Sequence, residues 1–114
     1  MENKRQFFRI TLYESPLKIF KDGKEYKGEM HDISGNGINF QSKMEWEEND
    51  ELTLRFTIKQ QTFQFDAKIV RKDFGTLGRS QYACQFLRQR NKDQSALSAL
   101  LLRIEADRKK NKRE

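Results

Sequence analysis

Period-two alternation across two adjoining segments limits this chain more than any other feature it has. In Glu51–Lys59, Leu52, Leu54, Phe56 and Ile58 alternate with Thr53, Arg55, Thr57 and Lys59. In Thr62–Val70, Phe63, Phe65, Ala67 and Ile69 alternate with Gln64, Asp66 and Lys68. Side chains of a strand point to opposite faces in turn, so each segment reads as a strand with one buried and one wet face. The Gln60-Gln61 link makes the two antiparallel neighbours, although neither residue is a good turn former. Tyr82, Cys84 and Phe86 repeat the pattern after a turn region marked by Gly75 and Gly78.

The first half is similar. Ile10 and Leu12 open a strand, and Leu17 and Ile19 predict another after Pro16. Asp22-Gly23 is a strong hairpin signal leading into Lys24–Ile33. Ser34-Gly35-Asn36-Gly37 is a second turn, followed by Ile38 and Phe40. About six or seven strands at this close turn spacing predict a mainly β fold, a small antiparallel β-barrel or sandwich. The pattern then changes period. Leu97, Leu100, Leu101 and Ile104 follow helical i, i+3, i+4, i+7 spacing. Asn91 with Gln94 resembles a capping box, with Asp93 as a competing cap. These features predict a helix from about Lys92 to Lys109 that covers one end of the barrel.

A length of 114 residues suits one domain. Leu, Ile, Val and Phe total 27 of the 114 residues, above the roughly 20% below which chains rarely fold. Nine of the thirteen aromatics are Phe, so the core should be Phe-rich. A single cysteine forbids an internal disulfide and fits a reducing cytoplasm. With one histidine and one cysteine, no structural zinc site is expected. The longest apolar run, Ala99–Leu102, falls far short of the ~20 residues that span a bilayer, and Met1–Arg9 has no signal-peptide character.

The net charge of +6 is unevenly placed. Residues 1–87 carry 14 basic and 13 acidic groups, whereas residues 88–114 carry 9 basic and 4 acidic. The body is nearly neutral, and a general polyanion surface there is unsupported. The excess belongs to the C-terminal segment, where the run Arg108–Arg113 complements a helix dipole.

Catalytic constellations fail quickly. His31, Asp32 and Ser34 lie within four residues, and such adjacency cannot hold a base against a nucleophile while a third group orients it. Cys84 sits on a buried strand face, as a small core hydrophobe would. No phosphate-binding glycine loop of the Walker or dinucleotide type appears. The sequence therefore points away from an enzyme.

Two constellations remain. Arg5-Gln6-Phe7-Phe8-Arg9, preceded by Lys4, places two guanidinium forks that can hold phosphate bidentately, reach guanine O6 and N7, or stack on bases; it also reads as a solvated basic N-terminus. Asp32-Ile33-Ser34-Gly35-Asn36-Gly37 offers a carboxylate acceptor for guanine N1–H and N2–H₂, a hydroxyl, and a glycine where backbone and ligand can approach. Equally, an Asp side chain can cap an amide two residues on and merely stabilise the turn.

In order, R-x-x-x-R at the mouth of the first strand and D-x-S-x-x-G in a turn 23 residues after Arg9 resemble the PilZ domain, a bacterial receptor for the second messenger cyclic di-GMP. The resemblance extends over nearly the whole chain and implies a split barrel with a C-terminal helix. It implies a division into a flexible arginine segment (1–9), a barrel (10–88), a helix (91–110) and a basic tail (111–114). It further implies that Arg5 and Arg9 clasp guanines and phosphates, that Asp32 and Ser34 contact the ligand from the barrel surface, and that Gly37 is a shape requirement. Lys4 is a weaker candidate. Asn49-Asp50 stands where many members have a glycine turn, and Asn tolerates the left-handed conformation. The implied function is a cytoplasmic switch, with cyclic di-GMP as ligand and no further cofactor, that changes conformation and passes the signal to a protein partner. Two other readings stay open: a PilZ-like adaptor that binds protein and no nucleotide, and a small barrel binding single-stranded nucleic acid. The near-neutral body and the inward aromatics argue against DNA or RNA.

Overall fold

The computed structural model describes residues 9–75, 77–87 and 91–112, with backbone alone at 13, 14, 91, 92 and 109–112. Among these residues six strands, β1 (Ile10–Lys21), β2 (Lys24–Ile33), β3 (Gly37–Ser42), β4 (Glu51–Ile58), β5 (Gln61–Phe74) and β6 (Ser80–Phe86), precede one helix, α1 (Asn91–Lys112). They close into an antiparallel barrel in the order β1-β2-β3-β6-β5-β4. Closure of the sheet on itself removes its open edges. The β1–β4 seam is the shortest pairing, joining Lys18, Ile19 and Phe20 to Arg55, Leu54 and Thr53.

The alternating faces point as the sequence predicts. Leu52, Leu54, Phe56 and Ile58 of β4 are buried with Phe63, Phe65, Ala67 and Ile69 of β5. Phe56, Phe63, Phe65 and Phe86 form a stacked group, with Phe65 and Phe86 centroids 4.5 Å apart. A second group joins Tyr26, Phe40, Trp46 and Tyr82. The loop carrying Trp46 closes the barrel end at which β3 finishes and β6 begins. Tyr82 fixes it there, because its hydroxyl donates to the Met44 carbonyl and accepts from the Trp46 amide. Asn49 turns this loop with φ of 78°. Among the described aromatics Phe20 is half-buried beneath the Arg55 guanidinium, and Phe74, at the tip of the β5–β6 hairpin, is 99% exposed.

Helix α1 covers the opposite end through Leu97, Leu100, Leu101 and Ile104, all buried in the common core. Each such side chain contributes about 1.5–3 kcal/mol on burial. The helix runs three residues beyond the predicted Lys109.

Three local expectations are corrected. The segments on either side of Pro16 are one strand, not two, with a register shift between Thr11 and Ser15. Pro16 pairs with β2 but lies outside the β1–β4 ladder, so its missing N–H is tolerated there. The hairpin between β4 and β5 turns at Lys59-Gln60 instead of Gln60-Gln61, both residues having positive φ (53° and 68°). Finally, β5 continues past Val70 to Phe74, because a register shift between Ile69 and Arg71 absorbs the break in alternation.

Candidate functional site

Arg9 of the first motif and Asp32 of the second meet at the helix end of the barrel. Arg9 lies just before β1, and Asp32 is the penultimate residue of β2, paired with Thr11 of β1. Arg9 Nη1 donates to Asp32 Oδ1 at 2.6 Å. Asn39 of β3 donates its amide to the same oxygen at 2.8 Å. Both contacts fall on one carboxylate oxygen, and among the described residues no hydrogen bond reaches Oδ2. Lys4 and Arg5 lie outside the described residues.

A bulge explains how Asp32 reaches the surface. The β2–β3 register shifts between Met30 and Asp32, so His31 and Asp32 both face outward between buried Met30 and Ile33. Bulges re-aim side chains in this way beside binding sites. His31 Nδ1 then pairs with the Gln81 amide at 2.9 Å.

The turn after Asp32 is self-contained. The Ser34 amide donates to the Gly37 carbonyl at 2.9 Å. That amide is therefore not capped by the Asp32 carboxylate, which is engaged elsewhere. Ser34 is 2% exposed, and its hydroxyl donates to Asn36 Oδ1 at 2.7 Å while lying 3.4 Å from the Asn36 amide. The Asn36 carbonyl accepts from the Phe86 amide, which pins the turn to β6. Gly37 is required for packing: a Cβ there would stand 2.6 Å from the Cys84 carbonyl oxygen. Helix α1 touches the same turn, since Gln94 donates its side-chain amide to the Gly35 carbonyl at 3.3 Å. Gln94, read from sequence as part of a capping box, thus reaches across to the barrel; the Asn91 side chain lies outside the described residues.

Sequence reasoning does not single out Asn39, and it weighs His31 only as a member of a failed catalytic trio. Asn39 was within reach of the alternation rule, as the outward residue between buried Ile38 and Phe40. His31 faces outward by plain alternation beside buried Met30, and the bulge is what turns Asp32 to the same side.

Cys84, behind Gly37, is buried, and burial pushes its thiol up to about 12. Among the described residues no group of three or more His, Cys, Asp or Glu could hold a metal. No helix among them is long and apolar enough to cross a membrane.

Comparison with known proteins gives the frame for this geometry. Solved structures with the same fold include the PilZ domain with c-di-GMP of YcgR from Escherichia coli (TM-score 0.72, 17% identity, 98% of this chain and 99% of that one). MrkH of K. pneumonia, as its c-di-GMP complex, gives a TM-score of 0.76 at 20% identity over 96% of this chain and 56% of that one. The Bacillus subtilis inhibitor of motility MotI/DgrA gives 0.76 at 18% identity over 92% and 53%. The chain thus spans about half the length of the latter two. No curated protein matches in sequence. The family model for the PilZ domain matches residues 3–103, taking in the arginine motif, all six strands and most of α1. With nearly its whole length matched, the chain belongs to the PilZ domain family.

Proposed function

We infer that this PilZ domain is a cyclic di-GMP receptor whose binding event is read by a protein partner in the cytoplasm. The observation that carries this reading is the meeting of Arg9, Asp32 and Asn39 on one carboxylate oxygen beside the Ser34–Gly37 turn. The ligand offers two phosphates for guanidinium forks and two guanines whose N1–H and N2–H₂ edge suits a carboxylate. The c-di-GMP complexes of the YcgR PilZ domain and of MrkH support the same assignment.

In the unliganded protein Arg9 and Asp32 satisfy each other in an ion pair open to water, worth about 1 kcal/mol or less. A ligand that gives phosphate to Arg9 and a guanine edge to Asp32 replaces this pair with two charge-assisted contacts. Arg5, four residues before Arg9, supplies the second fork from the segment 1–9. Ser34 and Gly37 serve by holding the turn, Ser34 through its hydroxyl and Gly37 through its fit against Cys84. Engagement of Arg5 and Arg9 by the ligand against the barrel creates a new surface for a partner.

Calorimetric titration with cyclic di-GMP, beside a single-stranded oligonucleotide, tests this reading. Cyclic di-GMP binds, the oligonucleotide does not, and Arg5→Ala or Arg9→Ala weakens binding about ten- to a hundredfold. Absence of cyclic di-GMP binding would leave the protein-binding adaptor, and both arginine variants binding like the parent would remove the clasp.

A further inference from the structure

A second bulge repeats on β5 what the first does on β2. The β5–β6 register shifts between Ile69 and Arg71, leaving Val70 and Arg71 both exposed after buried Ile69. Four residues then stand opposite one another across four neighbouring strands: Asp32 pairs with Asn39, Asn39 with Ala83, and Ala83 with Arg71. At about 4.8 Å between strands, Asp32 and Arg71 are some 14 Å apart along this row, measured backbone to backbone. Between them lie a half-buried amide and a methyl group. The result is a shallow polar cleft of about 90 Å³ on the outside of the barrel, with the Asp32 carboxylate at one wall and the Arg71 guanidinium, paired with Asp73, at the other.

We propose that Arg71 is a specificity-determining contact for a guanine base lying flat on Ala83, with Asp32 at the opposite edge of the base. This rests on the reading of the protein as a cyclic di-GMP receptor and deepens it. Guanine presents donors at N1 and N2 and acceptors at O6 and N7, on different edges of one plane. A carboxylate suits the first edge, and a guanidinium fork suits the second bidentately. Adenine offers no N1–H and places an amino donor where guanine has O6, so the same two walls reject it.

Ala83 makes the floor possible, since it faces outward between buried Tyr82 and Cys84 and any larger side chain would fill the cleft. Arg71 is free to serve. Its Nε donates to Asp73 Oδ2 at 2.9 Å, but the two side chains are 66% and 55% exposed, and such pairs hold weakly. The contact with Asp73 uses Nε and leaves the two terminal nitrogens of the guanidinium for a base. His31 and Gln81, bonded to each other, line the same cleft beside the row.

Titrations of the intact chain with cyclic di-GMP and cyclic di-AMP, each beside a thermal melt, test the proposal. Arg71→Ala lowers cyclic di-GMP affinity about tenfold or more and narrows the preference over cyclic di-AMP. Arg71→Lys recovers only part of the loss, because an ammonium lacks the fork. Ala83→Leu weakens binding with the melting midpoint held; if that midpoint drops, the Arg71 pair of variants decides. If Arg9→Ala binds weakly while Arg71→Ala and Arg71→Lys bind both nucleotides like the parent, the guanine floor is wrong and the receptor reading stands. If the unmodified chain does not bind cyclic di-GMP, both fall together.

Discussion

Arg9 and Asp32, 23 residues apart in the chain, meet at 2.6 Å through Nη1 and Oδ1. The carboxylate is held from the other side by Asn39 and caps no backbone amide of the turn that follows. Its removal therefore leaves the turn intact. Asp32→Ala should lower cyclic di-GMP affinity about ten- to a hundredfold while stability changes by about 1 kcal/mol or less. Calorimetry beside thermal melts checks both halves; a large drop in midpoint with unchanged affinity would make Asp32 a structural residue.

Gly37→Ala should act in the opposite sense, on the fold first. The added methyl meets the Cys84 backbone carbonyl oxygen at 2.6 Å, which no side-chain rotation relieves, so β3 and β6 must separate locally. Overpacking of this kind costs about 1–3 kcal/mol. A lowered denaturant midpoint at unchanged slope is the expected result, and an unperturbed midpoint would show that the strands yield freely.

Lys59 and Gln60 hold a hairpin geometry that suits Asn-Gly, with φ of 53° and 68°. A left-handed non-glycine residue costs about 1–2 kcal/mol, while glycine adds about 0.4–1 kcal/mol of unfolded-state entropy. Gln60→Gly should therefore stabilise the barrel by up to about 1 kcal/mol and leave nucleotide binding unchanged. The Asp22-Gly23 hairpin already has this chemistry, with φ of 53° and 79°. A fall in melting midpoint for Gln60→Gly would contradict the strain argument.

The inward strand faces were legible because alternation needs only a buried and a wet side. Leu52 to Ile58 and Phe63 to Ile69 show it without interruption, and the helical spacing of Leu97 to Ile104 is equally direct. Bulges break that rule and leave no mark in composition. His31-Asp32 and Val70-Arg71 each put two consecutive residues outside, so the outer face could not be assembled by counting. Pro16 misled for a related reason, since proline stops a strand only where its N–H is needed. Ser34 was read as a surface hydroxyl, and its burial follows from a turn that satisfies the hydroxyl internally. The motif residues Arg9, Asp32 and Gly37 were legible as types in order; what Gly37 is for emerged only from its distance to Cys84.

Cys84 should be inert in the folded protein. Burial raises its thiol to about 12, so almost no thiolate is present at neutral pH and little reagent can reach it. Labelling with an aromatic disulfide at pH 8 should proceed only as fast as the barrel opens, and should accelerate in denaturant with the unfolding rate. Rapid stoichiometric labelling of the native protein would mean that the β6 face is looser than its packing implies.

Acid should weaken the end of the barrel that carries Trp46. The Gln41 amide, with Arg79 beside it, holds Glu29 below the ordinary 4.5, and hydrogen bonds from Lys72 and Ser80 do the same for Glu45. A carboxylate with a lowered folded pKa contributes stability that is complete above its unfolded value and disappears as pH falls through the folded one. Melting midpoints should thus hold from neutrality to about pH 5 and decline below about pH 4. Carboxyl NMR titration should place both groups below 4.5, with Gln41→Ala returning Glu29 toward it.

The hydrogen bond from Gln94 to the Gly35 carbonyl ties the helix to the motif turn. Thermodynamic reciprocity attaches a condition to that. If nucleotide at the turn alters how firmly α1 is seated, a protein that grips α1 must alter nucleotide affinity by the same factor. The receptor and its listener would then be two ends of one equilibrium, and the concentration of second messenger needed for half-occupancy would depend on which partners the cell supplies.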